Sequence, residues 1–158
     1  MRLTLPHFHT EPQMRALASS PDAITRKGLR DRAILGVLCG SGLRASEVCD
    51  LRVRDLKPTL VVVRCGKFGK QRWVPLASRS FAAIRAYLAN HPAGLDERLF
   101  RTLAGRPLTR RHLHKLVVSY ARPLGLEGPA VHTTRHSAAT RWLNRGIGGN
   151  TVIDLRDR

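Results

Sequence analysis

The sequence is short of acidic residues, of aromatics and of long apolar runs. It holds 11 Asp and Glu against 28 Lys and Arg, a formal charge of +17 at neutral pH. That balance excludes an acidic, self-solvating chain and implies a polyanionic partner, nucleic acid first and an anionic membrane face second. No apolar stretch approaches the ~20 residues that a spanning helix needs. The longest, near residues 33–39, is interrupted by Gly36. The opening MRLTLPHFHTEPQ lacks the apolar region and small-residue cleavage pattern of a secretion signal. The three cysteines, Cys39, Cys49 and Cys65, are odd in number and form no CxxC pair. They read as reduced, partly buried thiols of a cytoplasmic protein, not as a disulfide frame or a zinc site. No Walker-type loop occurs, and no pair of carboxylates is spaced to hold Mg²⁺ for phosphoryl transfer. Phosphate chemistry here would have to run on Arg, Lys and His, with no metal and no cofactor.

What is present suffices for one domain. A chain of 158 residues with 42% apolar composition can bury a real core but cannot supply two. The basic residues gather late: the net charge is +2 over residues 1–50, +7 over 51–100 and +8 over 101–158. Thr10 before Glu11-Pro12 starts a helix carrying Met14, Leu17 and Ala18, and Ser19-Ser20-Pro21-Asp22 breaks it. RDRAILGVLCGSG reads as an amphipathic helix with Ala33, Ile34, Val37 and Leu38 inward, stopping at Gly40-Ser41-Gly42. LRASEVCDL follows as a short helix. The β-branched run at 60–65, a two-glycine turn at 66–70 and a return strand at 71–76 predict a β-hairpin with a basic tip. Ser78 and Thr109 can each cap a further helix, the first with Phe81, Ile84, Tyr87 and Leu88 on its apolar side, the second with Leu113, Leu116, Val117 and Tyr120. Leu99-Phe100 opens a loop, and a last helix is expected over 134–145, stopped by Gly146. The sum is a mainly α domain with a small antiparallel hairpin, an α+β fold.

Three segments carry groups suited to a phosphate. Arg44 opens a short helix after two glycines, where its planar fork can meet an oxyanion, and Glu47 shares its face one turn on. Taken alone the pair reads first as an exposed ion pair worth about 0.3 kcal/mol. Lys67 sits on the glycine-flanked hairpin tip, from which it could swing to a phosphate or a leaving oxygen. His132 and Arg135, three residues apart, can face one point and bring a proton-transfer group to a fixed cation.

Together and in this order, the segments resemble the catalytic domain of the tyrosine recombinases, the phage integrase family. The residues that carry the resemblance are Gly42-Leu43-Arg44-Ala45-Ser46-Glu47, then Gly66-Lys67 with Arg72-Trp73-Val74-Pro75-Leu76, then His132-Thr133-Thr134-Arg135-His136-Ser137-Ala138-Ala139-Thr140. It covers about residues 5–153, nearly the whole chain. The resemblance implies a metal-free strand transfer in which a Tyr hydroxyl attacks a DNA phosphodiester and forms a 3′-phosphotyrosine. Arg44 and Arg135 would grip the non-bridging oxygens, Lys67 would protonate the departing 5′ oxygen and His132 would move the nucleophile's proton. Glu47 and His136 would support the site. Lys70, Arg72, Arg110 and Arg141 are the expected DNA contacts.

Two departures temper that expectation. The family pattern continues into a Leu-Gly-His (or Trp) element and then the nucleophilic Tyr. Here Tyr87 and Tyr120 are the only tyrosines, each read as core, and the ending Arg156-Asp157-Arg158 carries neither the second His or Trp nor the Tyr. The family also carries a helical core-binding domain ahead of the catalytic one, whereas residues 1–158 read as a single catalytic domain, incomplete at its C-terminal side. The expectation is a cytoplasmic, nucleoid-associated protein that binds double-stranded DNA for recombination and integration but cannot cleave it alone. Apolar surface around Trp142, Leu143 and Val152 would then favour self-association or docking on a full-length recombinase. The alternative is a non-catalytic DNA-binding or recombinase-interacting remnant. A ribosome-associated RNA binder would explain the charge but not the three ordered motifs.

Overall fold

The structure, a computed structural model, describes residues 9–64 and 70–126 together with Arg135, Ser137, Ala138 and Thr140. Thr10 starts the first helix as its spacing predicts. Its hydroxyl accepts the Gln13 N–H at 3.3 Å while Gln13 Oε1 accepts the Thr10 N–H at 2.8 Å, so two end groups are satisfied reciprocally. Helix α1, Glu11–Ser19, buries Met14 and Leu17.

Helix α2, Arg26–Ser41, is the spine of the fold. It begins earlier than the apolar pattern suggests, because Thr25 caps it by accepting the Gly28 N–H at 3.0 Å. The amphipathic reading is corrected as well. Every residue from Ala33 to Ser41 is buried, since α1 packs on one side and α4 on another. Gly40 and Ser41 continue the helix, and the stop falls at Gly42, whose left-handed φ of 68° a side chain would oppose.

The short helix α3, Ala45–Asp50, turns Val48 and Cys49 inward. Strands β1, Leu60–Arg64, and β2, Gln71–Pro75, pair antiparallel with Val62 opposite Trp73 and Val63 opposite Arg72. Val61, Val63 and Val74 are buried, whereas Trp73 is 56% exposed. The period of two therefore puts Arg72, two residues before Val74's end of the strand, on the inward face.

Helix α4, Ser78–Asn90, is preceded by Ala77 rather than Ser78 at the capping position, with no side-chain bond. It crosses α2 closely, and Ser80 Oγ donates to the Gly36 carbonyl at 2.8 Å. Leu99 and Phe100, expected in a loop, are fully buried, and the Leu99 N–H donates to Leu51 O at 2.7 Å. Helix α5, Arg110–Ala121, is capped by Thr109 and buries Leu113, Val117 and Ala121. Tyr120 is half-buried at the edge, not in the core, because its hydroxyl donates to Asp31 Oδ2 at 2.8 Å. Lys27 and Arg30 complete the shell of that fully buried carboxylate, at 2.9 and 2.7 Å.

The α1–α2 turn has no room for a larger residue. A Cβ at Gly28 would fall 1.7 Å from the Asp22 carbonyl oxygen. Gly28→Ala should therefore lower stability by about 1–3 kcal/mol, the cost of overpacking, despite alanine's better helix propensity. Urea unfolding with an unchanged or higher midpoint would show that the turn relaxes freely.

Candidate functional site

The turn that ends α2 sets the first functional side chain. Gly42 redirects the chain, and Leu43, 1% exposed, anchors it in the core. Arg44 then occupies the capping position of α3 in an extended conformation, with its side chain 55% exposed. Glu47 reaches back one turn. Its Oε2 accepts the Arg44 backbone N–H at 2.8 Å, and its Oε1 lies 3.5 Å from Arg44 Nη1. The hairpin adds a third member: Arg72 Nη2 donates to Glu47 Oε2 at 2.7 Å, from a side chain only 17% exposed.

Arg135 comes from the far end of the sequence to the same place. Its guanidinium is half-buried and held below the ordinary arginine range, first by burial, then by the charge of Arg44, with Glu47 opposing and Arg72 adding to the effect. Its segment is tied to the start of the chain, where the His9 N–H donates to Ser137 Oγ at 2.8 Å, and Ala138 is fully buried. Among the described residues, Arg44 and Arg72 thus meet one carboxylate, and Arg135 lies close enough to feel its charge. Burial by itself would raise the Glu47 carboxyl. The bonds from Arg72 and the Arg44 N–H, with the two positive charges, outweigh that and hold it below its ordinary value. The cluster keeps a positive surplus at any physiological pH, and an anion would relieve the repulsion.

Other sequence-selected residues fall as follows. Lys70 is exposed at the entry to β2, and Arg110 is exposed at the first position of α5. Arg110 lies near enough to α3 for its charge to act on Cys49. Lys67, His132, His136 and Arg141 lie outside the described residues, as does the expected helix over 134–145 apart from the four positions named above. Tyr87 is 1% exposed, packed between His91 and Phe100. Cys39 and Cys49 are buried, and burial, with Asp50, pushes the Cys49 thiol up to about 11. A pocket of about 450 Å³ beside the cluster is lined by Arg44, Ser46, Glu47, Arg64 and Arg98 among others. A larger cavity of about 590 Å³ between α1, α2 and α4 holds none of the selected residues. Charge, not cavity size, marks the site. No described helix is long and apolar enough to cross a membrane.

The inward turn of Arg72 went unread in the sequence, where it counted as a DNA contact. Strand alternation was the available signal, since Arg72 and Val74 share a face and Val74 belongs to the core.

Solved structures with this architecture include the XerA recombinase, at a TM-score of 0.81 and 22% identity over 96% of this chain and 56% of that one. Another is the XerH site-specific recombinase bound to palindromic difH substrate, at 0.78 and 24% over 98% and 48%. The fold is that of a tyrosine recombinase catalytic domain. A sequence profile of the phage integrase family matches residues 7–157, and the chain belongs to that family. It is 35% identical to the tyrosine recombinase XerC of Staphylococcus carnosus over 96% of this chain and 53% of that protein. It is 34% identical to XerD of Halalkalibacterium halodurans over the same shares, 96% and 53%. The chain spans about half the length of the curated relatives it matches.

The direction of the Glu47 shift sets a pH dependence. A carboxyl depressed on folding contributes stability that is fully present above its unfolded value and lost as pH falls through the lower folded one. The urea midpoint should therefore fall as the pH drops below about 4.5, more steeply than in Glu47→Gln. Parallel profiles for the two proteins would remove Glu47 from the charge balance drawn here.

Proposed function

We propose that this chain is the catalytic-domain portion of a site-specific DNA recombinase, and that it grips one phosphodiester of duplex DNA. The observation that carries this reading is the gathering of Arg44, Arg72 and Arg135 around Glu47. A phosphodiester carries one negative charge, and in-line attack by a hydroxyl spreads a second over its equatorial oxygens. Arginines that stay charged and present planar forks match that change better in the transition state than in the ground state. In this reading Arg44 and Arg135 hold the non-bridging oxygens. As the attacking Tyr oxygen bonds to phosphorus, the P–O5′ bond breaks, Lys67 gives the leaving oxygen its proton, and His132 moves the proton of the attacking hydroxyl.

Neither tyrosine of the sequence offers that hydroxyl. Tyr87 is enclosed in the core and Tyr120 is bonded to Asp31. In this reading the attacking hydroxyl is neither of these two. This favours, for these residues acting alone, a second reading: a DNA-binding element that works with another recombinase molecule or with itself. Under either reading the partner is double-stranded DNA, and the place of action is the nucleoid.

Binding should be strongly salt-dependent. With 6–10 phosphate contacts, affinity for duplex DNA should fall roughly 10³- to 10⁵-fold between 50 and 200 mM salt. Arg44→Ala should reduce the slope of log K against log salt by about 0.9, one phosphate. A flat titration would remove the basic face as the docking surface. On a nicked duplex designed to trap intermediates, residues 1–158 alone should yield no covalent adduct. A phosphotyrosine found at Tyr87 or Tyr120 would overturn the assignment of both to structural roles.

A further inference from the structure

Arg72 lies in the inward row of the hairpin, on the carboxylate that also serves Arg44. Glu47 Oε2 accepts two bonds, from the Arg44 backbone N–H at 2.8 Å and from Arg72 Nη2 at 2.7 Å. Its other oxygen stands 3.5 Å from Arg44 Nη1, a loose contact. The division of labour follows from burial. The Glu47 side chain is 11% exposed and that of Arg72 17%, whereas Arg44 is 55% exposed. The inner pair is thus nearly complete and the outer arginine is left largely to solvent. A bidentate pair between Glu47 and Arg44 would occupy the fork that a phosphate needs.

We propose that Arg72 is a positioning residue: by holding Glu47 Oε2 it keeps that carboxylate from closing on the Arg44 guanidinium, leaving the Arg44 fork open to a DNA phosphate. This rests on the phosphate-binding reading given above. Arg72 also joins β2 to α3, so the strand leading from the hairpin tip is fixed relative to the arginine site. Without Arg72, a carboxylate that is nine-tenths buried would lose its strongest partner. A buried charge does not stay unpaired, and the Arg44 guanidinium, its Nη1 already 3.5 Å from Oε1, is within its reach.

Two measurements on the 158-residue chain test this, with Arg72→Ala, Glu47→Gln and the double variant. The first is independent of DNA: modification of Arg44 by phenylglyoxal, read by peptide mass spectrometry. Arg44 reactivity should fall severalfold in Arg72→Ala and return in the double variant, where no carboxylate remains to close on it. Unchanged Arg44 reactivity in Arg72→Ala overturns the proposal. The second is duplex DNA affinity at fixed salt. Arg72→Ala should weaken binding about tenfold in the presence of Glu47, the loss of one charge-assisted contact, and less than about twofold in the Glu47→Gln background. An equal loss in both backgrounds would make Arg72 itself the DNA contact, and would overturn the positioning role. Loss in both backgrounds with a lowered thermal midpoint would make it a structural residue and overturn it too. If the unaltered chain binds no duplex, the recombinase reading fails, and the Arg44 reactivity still decides whether Arg72 governs Glu47.

Discussion

A single carboxylate shared among arginines is the constraint on which the site depends. Glu47 can bond Arg44 and Arg72, with Arg135 close enough to feel its charge, only if three distant stretches of chain are held in place together. The Gly42 turn aims Arg44, the β1–β2 register aims Arg72, and the bond from His9 to Ser137 ties down the Arg135 segment. Each device is local and cheap in residues. Their convergence is costly, because like charges are pressed together where water is partly excluded. The buried body of α2 provides the rigid base that this convergence requires.

The molecule contains a second buried carboxylate, and the contrast is instructive. Asp31 is fully enclosed and surrounded by Lys27, Arg30 and the Tyr120 hydroxyl, which links α2 to α5. Of its two cations, Arg30 is itself largely buried, and the phenol fills a further acceptor position. That cluster is built for holding helices together. The Glu47 cluster likewise leaves one cation more than half exposed, Arg44 as the other leaves Lys27, but its cations are arginines. Like charges drawn from three separate stretches, not openness to solvent, set the Glu47 cluster apart.

Much of this was readable from residue order. The caps at Thr10 and Thr109, the hairpin over 60–76 and the Arg44–Glu47 spacing all follow from local chemistry acting over a few residues. What escaped depended on neighbours far away in sequence. The helix from Arg26 looked amphipathic because its polar positions Gly36, Gly40 and Ser41 are small, and small residues are buried when another helix approaches closely. Leu99 and Phe100 have no periodic context, yet the Leu51 carbonyl accepts the Leu99 N–H and the core takes both side chains. Tyr120 matched an apolar stripe, but its hydroxyl needed a partner, and Asp31 drew it to the rim. Arg72 was visible as a basic residue, while its direction required the strand register and its partner required the fold.

The surplus charge also bears on how binding and stability are joined. A site whose cations repel one another is less stable empty than filled, so an anion that relieves the repulsion stabilises the folded chain by mass action. The same anion gains most when its own charge grows, as a phosphodiester's does under in-line attack. A fold that held its arginines fully neutralised would be more stable at rest and would discriminate less between a resting phosphodiester and one under attack. By pairing Arg72 inward with Glu47 while leaving Arg44 exposed, this architecture keeps part of the compensation permanent and leaves the remainder open to a bound anion. The inner pair holds Glu47 tightly, and the outer arginine keeps only a loose contact with its second oxygen.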